Sequence, residues 1–218
     1  MKVYIINLKK DVKRKDDLIK QILKLPYTFD YEFITGHNGN EKEDANDIEL
    51  SKHFVKKWCG RSKHLPYING QKGCCISHVR LIKSLIDKGE NQAYILEDDV
   101  ILPLSNPFTQ PNGGLFFYLG ILDNKVIPNY KLKKPNDPKI LTTHAYGIND
   151  LQTFYNKMIT YSPRNIDGIY VQLQRTENIY FKNVCFQNIN YSSNMDYKKD
   201  SKIPIFRKIS ALYLKQMK

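Results

Sequence analysis

The stretch Ala93-Tyr94-Ile95-Leu96-Glu97-Asp98-Asp99-Val100 is the most informative part of this chain. Its first four residues are apolar and do not alternate with polar positions, which is typical of a strand covered on both faces of a sheet. Three consecutive carboxylates follow at once. Because ligands of open α/β sheets collect beyond the carboxyl ends of the strands, this acidic segment predicts a ligand site.

The segments on either side of this strand alternate between strand and helix patterns. Strands are predicted at residues 3–8, 31–34, 115–120, 140–148 and 179–186, and helices from Asp11 to about Leu25, from Gly73 to Gly89 and from Asn149 or Asp150 to about Tyr161. This order predicts an α/β fold, a single Rossmann-type domain with a mostly parallel central sheet flanked by helices. We place this domain at residues 1–200 and a basic amphipathic tail at residues 201–218.

The chain is strongly basic, since 34 Lys and Arg residues against 22 Asp and Glu residues give a formal charge of +12. Such a protein attracts polyanions, anionic lipid surfaces and phosphorylated small molecules without a specific site. No zinc-finger, RRM, KH or helix-turn-helix signature accompanies the charge, so we expect no specific nucleic-acid partner. A basic protein associated with nucleic acid is the third interpretation, after the two given below.

The cysteines and the N-terminal sequence bear on the cellular compartment. The four cysteines show no C-x-x-C spacing, which favours buried thiols in a reducing compartment. The apolar start is too short for a signal peptide, and no apolar run is long enough to span a bilayer. We therefore expect a cytoplasmic protein. We also hypothesise that the tail contacts the inner face of an anionic membrane; the alternative is a terminal helix docked on its own domain.

The acidic segment has the chemistry of a divalent-cation site. In an extended backbone, Glu97 and Asp99 project to the same face while Asp98 points away. Mg²⁺ and Mn²⁺ accept one or two carboxylates when a substrate diphosphate supplies the other oxygens. The alternative is a solvated acidic turn that caps a neighbouring helix.

Several segments resemble, in order, the family 25 glycosyltransferases, which include bacterial lipooligosaccharide galactosyltransferases and collagen galactosyltransferases. These segments are Val3-Tyr4-Ile5-Ile6-Asn7-Leu8 with Arg14, Gly73-Cys74-Cys75-Ile76-Ser77-His78, Leu96-Glu97-Asp98-Asp99-Val100, Thr143-His144-Ala145-Tyr146 and Ile166-Asp167-Gly168. They are similar to the family's V-I-N-L … R-R, G-C-x-x-S-H, L-E-D-D-V, G-T-H-A-Y and V-D motifs. The chain departs from the family at Thr142, where glycine is frequent, and Gln187 and Ser193 match only loosely the P-x-x-x-Q … S stretch.

The resemblance implies a GT-A-like fold, a UDP-sugar donor and a Mn²⁺ or Mg²⁺ cofactor. It implies transfer of a hexose, galactose or glucose, with inversion, to a glycan, lipooligosaccharide or protein-linked acceptor. Asp99 and Glu97 are the metal ligands that it implies, with Asp98 and Glu97 as donor contacts. Asp167 is the matching candidate for the base that takes the acceptor's hydroxyl proton. Its alternative role is that of an N-cap or turn residue before Gly168.

Four further side chains are assigned from their positions. Asn7 and Arg14 are expected to meet the nucleotide, because a strand end that leads into a helix N-terminus offers N–H groups to anions; Arg14 is equally compatible with a solvated charge. His144 is a candidate to complete the metal or donor-sugar site, or it simply orients Tyr146. His78 falls on the apolar face of its helix, which favours a core histidine over a ligand.

The sequence therefore favours two functions over the nucleic-acid-associated protein. The first is a metal-dependent glycosyltransferase. The second is a catalytically silent protein that binds a nucleotide sugar or a glycan, because the sequence alone does not show whether the base is in position.

Overall fold

The computed structural model describes residues 1–40, 65–121, 126–133, 140, 142–161 and 166–188. Within these residues a large mixed sheet has helices against both faces. The strands are β1 (Val3–Leu8), β2 (Tyr31–Gly36), β3 (Ala93–Glu97), β4 (Val100–Ile101), β5 (Phe116–Tyr118), β6 (Ile127–Lys133), β7 (Ala145–Ile148), β8 (Ile179–Asn183) and β9 (Phe186–Gln187). The helices are α1 (Val12–Ile22), α2 (Leu65–Asp87), α3 (Leu151–Thr160) and α4 (Ile166–Thr176).

The large sheet contains seven of the described strands, in the order β2-β1-β3-β7-β5-β8-β6. Strand β1 pairs in parallel with β2 and β3, and β5 pairs in parallel with β8. The pairs β3–β7, β5–β7 and β6–β8 are antiparallel. A short antiparallel pair, β4–β9, stands apart from this sheet and follows the acidic segment directly. The predicted α/β class, with a Rossmann-like central sheet flanked by helices, is confirmed.

Strand β3 is buried on both faces, as its uninterrupted apolar sequence predicts. Ile95 packs into a cluster that includes Ile82 of α2. Tyr94 and Leu96 join the cluster on the opposite face, together with Leu18 of α1. Each of these side chains is at most 2% exposed, and burying one of them contributes about 1.5–3 kcal/mol. This packing holds β3 in place and thereby sets where the acidic segment leaves the sheet.

Asp11 and Asp150, the two predicted N-cap residues, both directly precede helices, but only one of them caps through its side chain. Asp150 caps α3, because its Oδ1 accepts the N–H of Thr153 at 2.9 Å. Asp11 takes the N-cap position of α1, but its carboxylate forms no capping hydrogen bond. Its carbonyl accepts the N–H of Arg14 at 3.1 Å instead. Helix α1 ends at Ile22, before the predicted end.

Some predicted boundaries differ from those observed. Among the described residues, the run 115–120 is strand over β5, the run 140–148 is strand over β7, and the run 179–186 divides into β8 and β9. No sequence pattern predicts β6, because it is an edge strand that contains Pro128 and exposes most of its residues. Helix α4 was missed because Gly168, a poor helix former, lies in its first turn.

Helix α2 begins at Leu65, well before the predicted start at Gly73. A Cβ on Gly73 would lie 2.6 Å from the Gly39 nitrogen and 2.7 Å from the His37 carbonyl oxygen. The glycine therefore does not start the helix. It lets the loop after β2 pack directly on the helix backbone.

Several predictions fall outside the described residues. They concern the tail at 201–218, the C-terminal end of the predicted domain, Cys59 and Ser193. Within the described part of the chain, none of the helices combines the length and the apolar composition needed to cross a bilayer.

Candidate active site

The acidic segment lies beside the carboxyl end of β1. Strand β3 ends at Glu97, and Asp98 and Asp99 form a turn before β4. The N–H of Asp98 donates to the carbonyl of Ile6 at 3.1 Å, which holds the turn against β1. Since the extended backbone stops at Glu97, the predicted alternation of faces does not continue through the turn. Each of the three carboxylates has its own set of partners.

Asp98 is held by the two residues predicted to lie near the nucleotide. Asn7 Nδ2 donates to Asp98 Oδ2 at 2.7 Å, and Arg14 Nη1 donates to Asp98 Oδ1 at 3.0 Å. The side chains of Arg14 and Asp98 are only 12% and 7% exposed, so Arg14 is not a solvated charge. Burial raises the pKa of Asp98, and the charge of Arg14 and the hydrogen bond from Asn7 oppose that rise. The structure therefore brings Asn7, Arg14 and Asp98 together in one buried ion pair.

Asp99 is buried with half of its carboxylate unsatisfied. Its Oδ2 accepts a hydrogen bond from Gln187 Nε2 at 3.0 Å. Its Oδ1 is shielded from solvent and has no hydrogen-bond partner among the described residues. Burial, together with the charge of Glu97, raises the pKa of Asp99 to about 7. A buried carboxylate of this kind is costly to ionise unless a cation or further donors compensate it.

Glu97 ends a hydrogen-bonded chain that begins in the core. Its Oε1 accepts from Thr143 Oγ1 and lies 3.2 Å from His78 Nε2. His78 Nδ1 is 2.7 Å from the Tyr146 hydroxyl, which accepts from the Tyr170 hydroxyl at 2.8 Å. Burial favours a higher pKa for Glu97, but the hydrogen bond and charge of His78 and the hydrogen bond from Thr143 outweigh it, so the pKa is lowered. The lowered pKa therefore favours the anionic form of Glu97.

His78 is a buried core histidine, as predicted, with 1% exposure. The sequence does not predict its link to Glu97. The hydroxyl of the neighbouring Ser77 has partners other than His78 in the described part of the chain. Ser77 Oγ donates to the Gly73 carbonyl at 2.6 Å and accepts from the His37 N–H at 2.8 Å.

Asp167 lies in the first turn of α4 and faces the same group. Its Oδ1 is shielded from solvent and has no hydrogen-bond partner in the described part of the chain, so that atom does not cap the helix. Burial and the charge of Glu97 raise the pKa of Asp167 to about 6, and the charge of His78 opposes the rise. The fold therefore places Asp167 within electrostatic range of Glu97, although the two residues are far apart in the chain.

His144 is engaged through both ring nitrogens. Nδ1 contacts Thr142 Oγ1, and Nε2 lies 3.1 Å from the carbonyl oxygen of Cys185. Burial lowers the pKa of His144, which keeps the ring neutral. The predicted contact between His144 and the donor would require one of these hydrogen bonds to break.

Two side chains that contact Glu97 were not predicted from the sequence. Thr143 and Cys74 both reach Glu97, with Cys74 Sγ 3.9 Å from Glu97 Oε1. Both lie within the segments that resemble the family, and this was the signal available. Their common partner was not readable, because they are 46 and 23 positions away from it in the chain.

A cavity of about 310 Å³ opens elsewhere, beside the first residues of β1 and β3. Its lining includes Val3, Asp30 and Tyr94. It therefore lies at the opposite edge of the sheet from the acidic segment, and we do not assign the active site to it.

Two comparisons relate the chain to known glycosyltransferases. The family model described as "Glycosyltransferase family 25 (LPS biosynthesis protein)" matches residues 1–194. The chain is also similar to a protein named "Procollagen lysyl hydroxylase and glycosyltransferase" from Acanthamoeba polyphaga mimivirus, with 26% identity over 110 residues. That match covers 46% of this chain and 12% of the viral protein, so the chain spans only a small part of that relative's length.

Proposed function

Because this chain belongs to glycosyltransferase family 25, we propose that it transfers a hexose, galactose or glucose, from a UDP-sugar to a glycan, lipooligosaccharide or protein-linked acceptor. We propose a GT-A-type arrangement, a Mn²⁺ or Mg²⁺ cofactor and inversion at the anomeric carbon. The observation that supports the proposal best is the buried, unpartnered Oδ1 of Asp99 at the carboxyl edge of the sheet. Such an oxygen lacks the positive partner that a divalent cation would provide.

The donor set fits a hard cation. Asp99 offers a free carboxylate oxygen, and Glu97, whose pKa is lowered, offers an anion next to it. Mg²⁺ and Mn²⁺ prefer such oxygen ligands and take the remainder from diphosphate and water. When bound, the ion would neutralise the negative charge that develops on the departing UDP.

Asn7, Arg14 and Asp98 would orient the donor. The ion pair fixes the Asp98 carboxylate, whose two oxygens accept from Asn7 and Arg14. We propose that Asp98 contacts the ribose or the ion from this fixed position. The charge of Arg14 would also favour the approach of the diphosphate.

Asp167 would act as the base of a one-step transfer. A pKa of about 6 leaves most of its carboxylate ionised at neutral pH, yet close enough to the working pH to accept a proton efficiently. Its unpartnered Oδ1 is the atom that would take the proton from the acceptor hydroxyl. His78 and Tyr146 would hold Glu97 in position, because Tyr146 contacts His78 and His78 contacts the Glu97 carboxylate.

Thermal unfolding with and without ligands tests the donor and metal parts of the proposal. UDP, UDP-glucose, UDP-galactose and UDP-N-acetylglucosamine are each added with Mn²⁺ or with EDTA. We expect UDP to stabilise the protein only when the metal is present, by about 2.7 kcal/mol at a hundredfold excess over the dissociation constant. Asp99→Asn should abolish this shift, whereas Asp87→Asn, which changes an exposed carboxylate on α2, should keep it. A shift that survives in Asp99→Asn would refute the ligand assignment.

Release of UDP in the presence of an acceptor separates a transferase from a silent binding protein. A transferase consumes donor and releases UDP at a rate that depends on acceptor concentration. Metal-dependent binding of UDP without any such release, across glycan, lipooligosaccharide and glycopeptide acceptors, would favour the silent binding protein.

We also propose that the protein works in the cytoplasm, with the tail at 201–218 in contact with an anionic membrane that presents a lipid-linked acceptor. Co-sedimentation with anionic liposomes compares the full chain with a chain that lacks residues 201–218. Equal binding of both proteins would remove the tail from this role.

A further inference from the structure

Three side chains of different chemistry meet behind the acidic segment. Cys74 and His78 lie one turn apart on α2, and Glu97 ends β3. Their Sγ, Nε2 and carboxylate oxygen atoms all lie within 4.8 Å of one another. We call these residues the Cys–His–Glu cluster.

The spacing of the Cys–His–Glu cluster is close to that of a metal site. Glu97 Oε1 is 3.9 Å from Cys74 Sγ and 3.2 Å from His78 Nε2. Zinc binds sulfur at about 2.3 Å and nitrogen or oxygen at about 2.0–2.2 Å, so tetrahedral ligand atoms lie roughly 3.3–3.7 Å apart. The two distances from Glu97 Oε1 lie within a few tenths of an ångström of this range, and Cys74 Sγ lies within 4.8 Å of the ligand nitrogen of His78.

The second ring nitrogen of His78 already has the partner that a metal-bound histidine needs. Nδ1 lies 2.7 Å from the Tyr146 hydroxyl. In the tautomer with a proton on Nδ1, that nitrogen donates to Tyr146 and Nε2 directs its lone pair toward Glu97 and Cys74. Metal-binding histidines are generally held in this way by a neighbouring hydrogen-bond acceptor.

A fourth group, Asp167, adds a carboxylate to this region. Asp167 interacts electrostatically with Glu97, His78 and Cys74, so its charge lies beside the Cys–His–Glu cluster. Its shielded Oδ1 has no hydrogen-bond partner among the residues that the structure describes. The carboxylates of Asp167 and Glu97 repel each other, and a divalent cation between them would relieve this repulsion.

We propose that the Cys–His–Glu cluster binds a thiophilic divalent cation of the Zn²⁺ type, with Asp167 as the adjacent carboxylate. Sulfur and imidazole ligands select such ions over Mg²⁺ and Mn²⁺. This site is separate from the ion expected beside Asp99, although Glu97 borders both. On binding, the Cys74 thiol and the Nε2–H of His78 release their protons to solvent, and the resulting thiolate and the Glu97 carboxylate neutralise the two charges of the ion.

Cobalt substitution tests the site, because a thiolate bound to Co²⁺ gives a charge-transfer absorption that carboxylates do not. The full chain is stripped with EDTA and titrated with Co²⁺. We expect the band in the wild type and in Cys75→Ser, whose thiol lies in the apolar core instead, and its loss in Cys74→Ser. Added Zn²⁺ should displace Co²⁺ from the site and abolish the charge-transfer band. A band of equal strength in Cys74→Ser, or no band in the wild type, would overturn the proposal.

Two further measurements do not depend on replacing a ligand. Tyr146→Phe keeps the ring in the core but removes the hydroxyl beside His78, and we expect roughly 10–100-fold weaker Co²⁺ binding. Alkylation of individual cysteines is measured by peptide mass spectrometry. In the wild type, Zn²⁺ should slow the alkylation of Cys74 and leave the alkylation of Cys185 unchanged. Unchanged alkylation of Cys74 at saturating Zn²⁺ would contradict the site.

The two proposed sites share Glu97 and Asp167, but variants of Cys74 and Asp99 distinguish them. Cys74→Ser should lose the cobalt band and keep the UDP- and Mn²⁺-dependent stabilisation. Asp99→Asn should do the reverse. A protein without metal-dependent UDP binding but with a Cys74-dependent cobalt band would refute the transferase proposal alone.

Discussion

Replacement of Asp99 by Asn should change how the stability of the metal-free protein depends on pH. The pKa of Asp99 is raised from its usual 3.8 to about 7, mainly by burial. Between these values the folded protein holds a proton that the unfolded chain releases, so the free energy of unfolding falls as the pH rises. The stabilisation from protonated Asp99 is complete below about pH 4 and is lost above about pH 7.

The size of the effect follows from the pKa shift. About three pKa units at 1.36 kcal/mol each give up to about 4 kcal/mol. For a protein of this length that is roughly 8–16 °C in melting temperature. Asn cannot ionise, so Asp99→Asn should lack this loss. The cost of any unsatisfied amide hydrogen, about 1–3 kcal/mol, is the same at every pH and cancels when the two pH values are compared.

The assay is thermal or urea unfolding in EDTA from pH 4 to pH 8. The quantity compared is the stability lost over this range by the wild type minus that lost by Asp99→Asn. Asp87→Asn, on the exposed face of α2, serves as the control and should follow the wild type. Parallel pH profiles for the wild type and Asp99→Asn would refute the reasoning that burial and Glu97 hold Asp99 protonated.

Three further predictions concern the ion pair, the base and the sheet. Arg14→Gln leaves Asp98 buried without its cation, so urea unfolding should show a loss of about 1–3 kcal/mol, and UDP should bind more weakly. Asp167→Asn should lower turnover by about a hundredfold or more and keep UDP binding; the wild-type rate should rise with pH through about 6, because the base must be ionised. Gly147→Ala places a Cβ 2.2 Å from Phe117 Cζ in the neighbouring strand, and we expect a loss of about 1–3 kcal/mol from overpacking in urea unfolding.

Each of these predictions has a contrary outcome. Lys13→Gln is the control for Arg14→Gln, because Lys13 belongs to a surface pair and is 81% exposed. It should change the free energy of unfolding by no more than about 0.5 kcal/mol. An equal loss in Lys13→Gln and Arg14→Gln would show that the buried ion pair of Arg14 contributes no more than a surface pair. Full turnover in Asp167→Asn would exclude it as the base. Unchanged stability of Gly147→Ala would mean that Phe117 moves aside at little cost.

Much of the fold could be predicted because its determinants are local. The apolar run before Glu97 has no polar position, and only a strand covered on both faces accommodates it in a sheet. The Asp150 cap is equally local, since its partner is the N–H three positions later. Strand β6 was not predictable in this way, because its edge position leaves it without an apolar pattern.

The sequence by itself determined the strand, the three carboxylates at its end and the family, because these depend on residues that are neighbours in the chain. Only the tertiary structure decided how the carboxylates differ. Asp98 is paired with Arg14, Glu97 is kept anionic by His78 and Thr143, and Asp99 is buried without a full set of partners. Burial and charge act through space at a few ångströms, and the groups that supply them come from distant parts of the chain, so the sequence alone cannot reveal which carboxylate holds a proton.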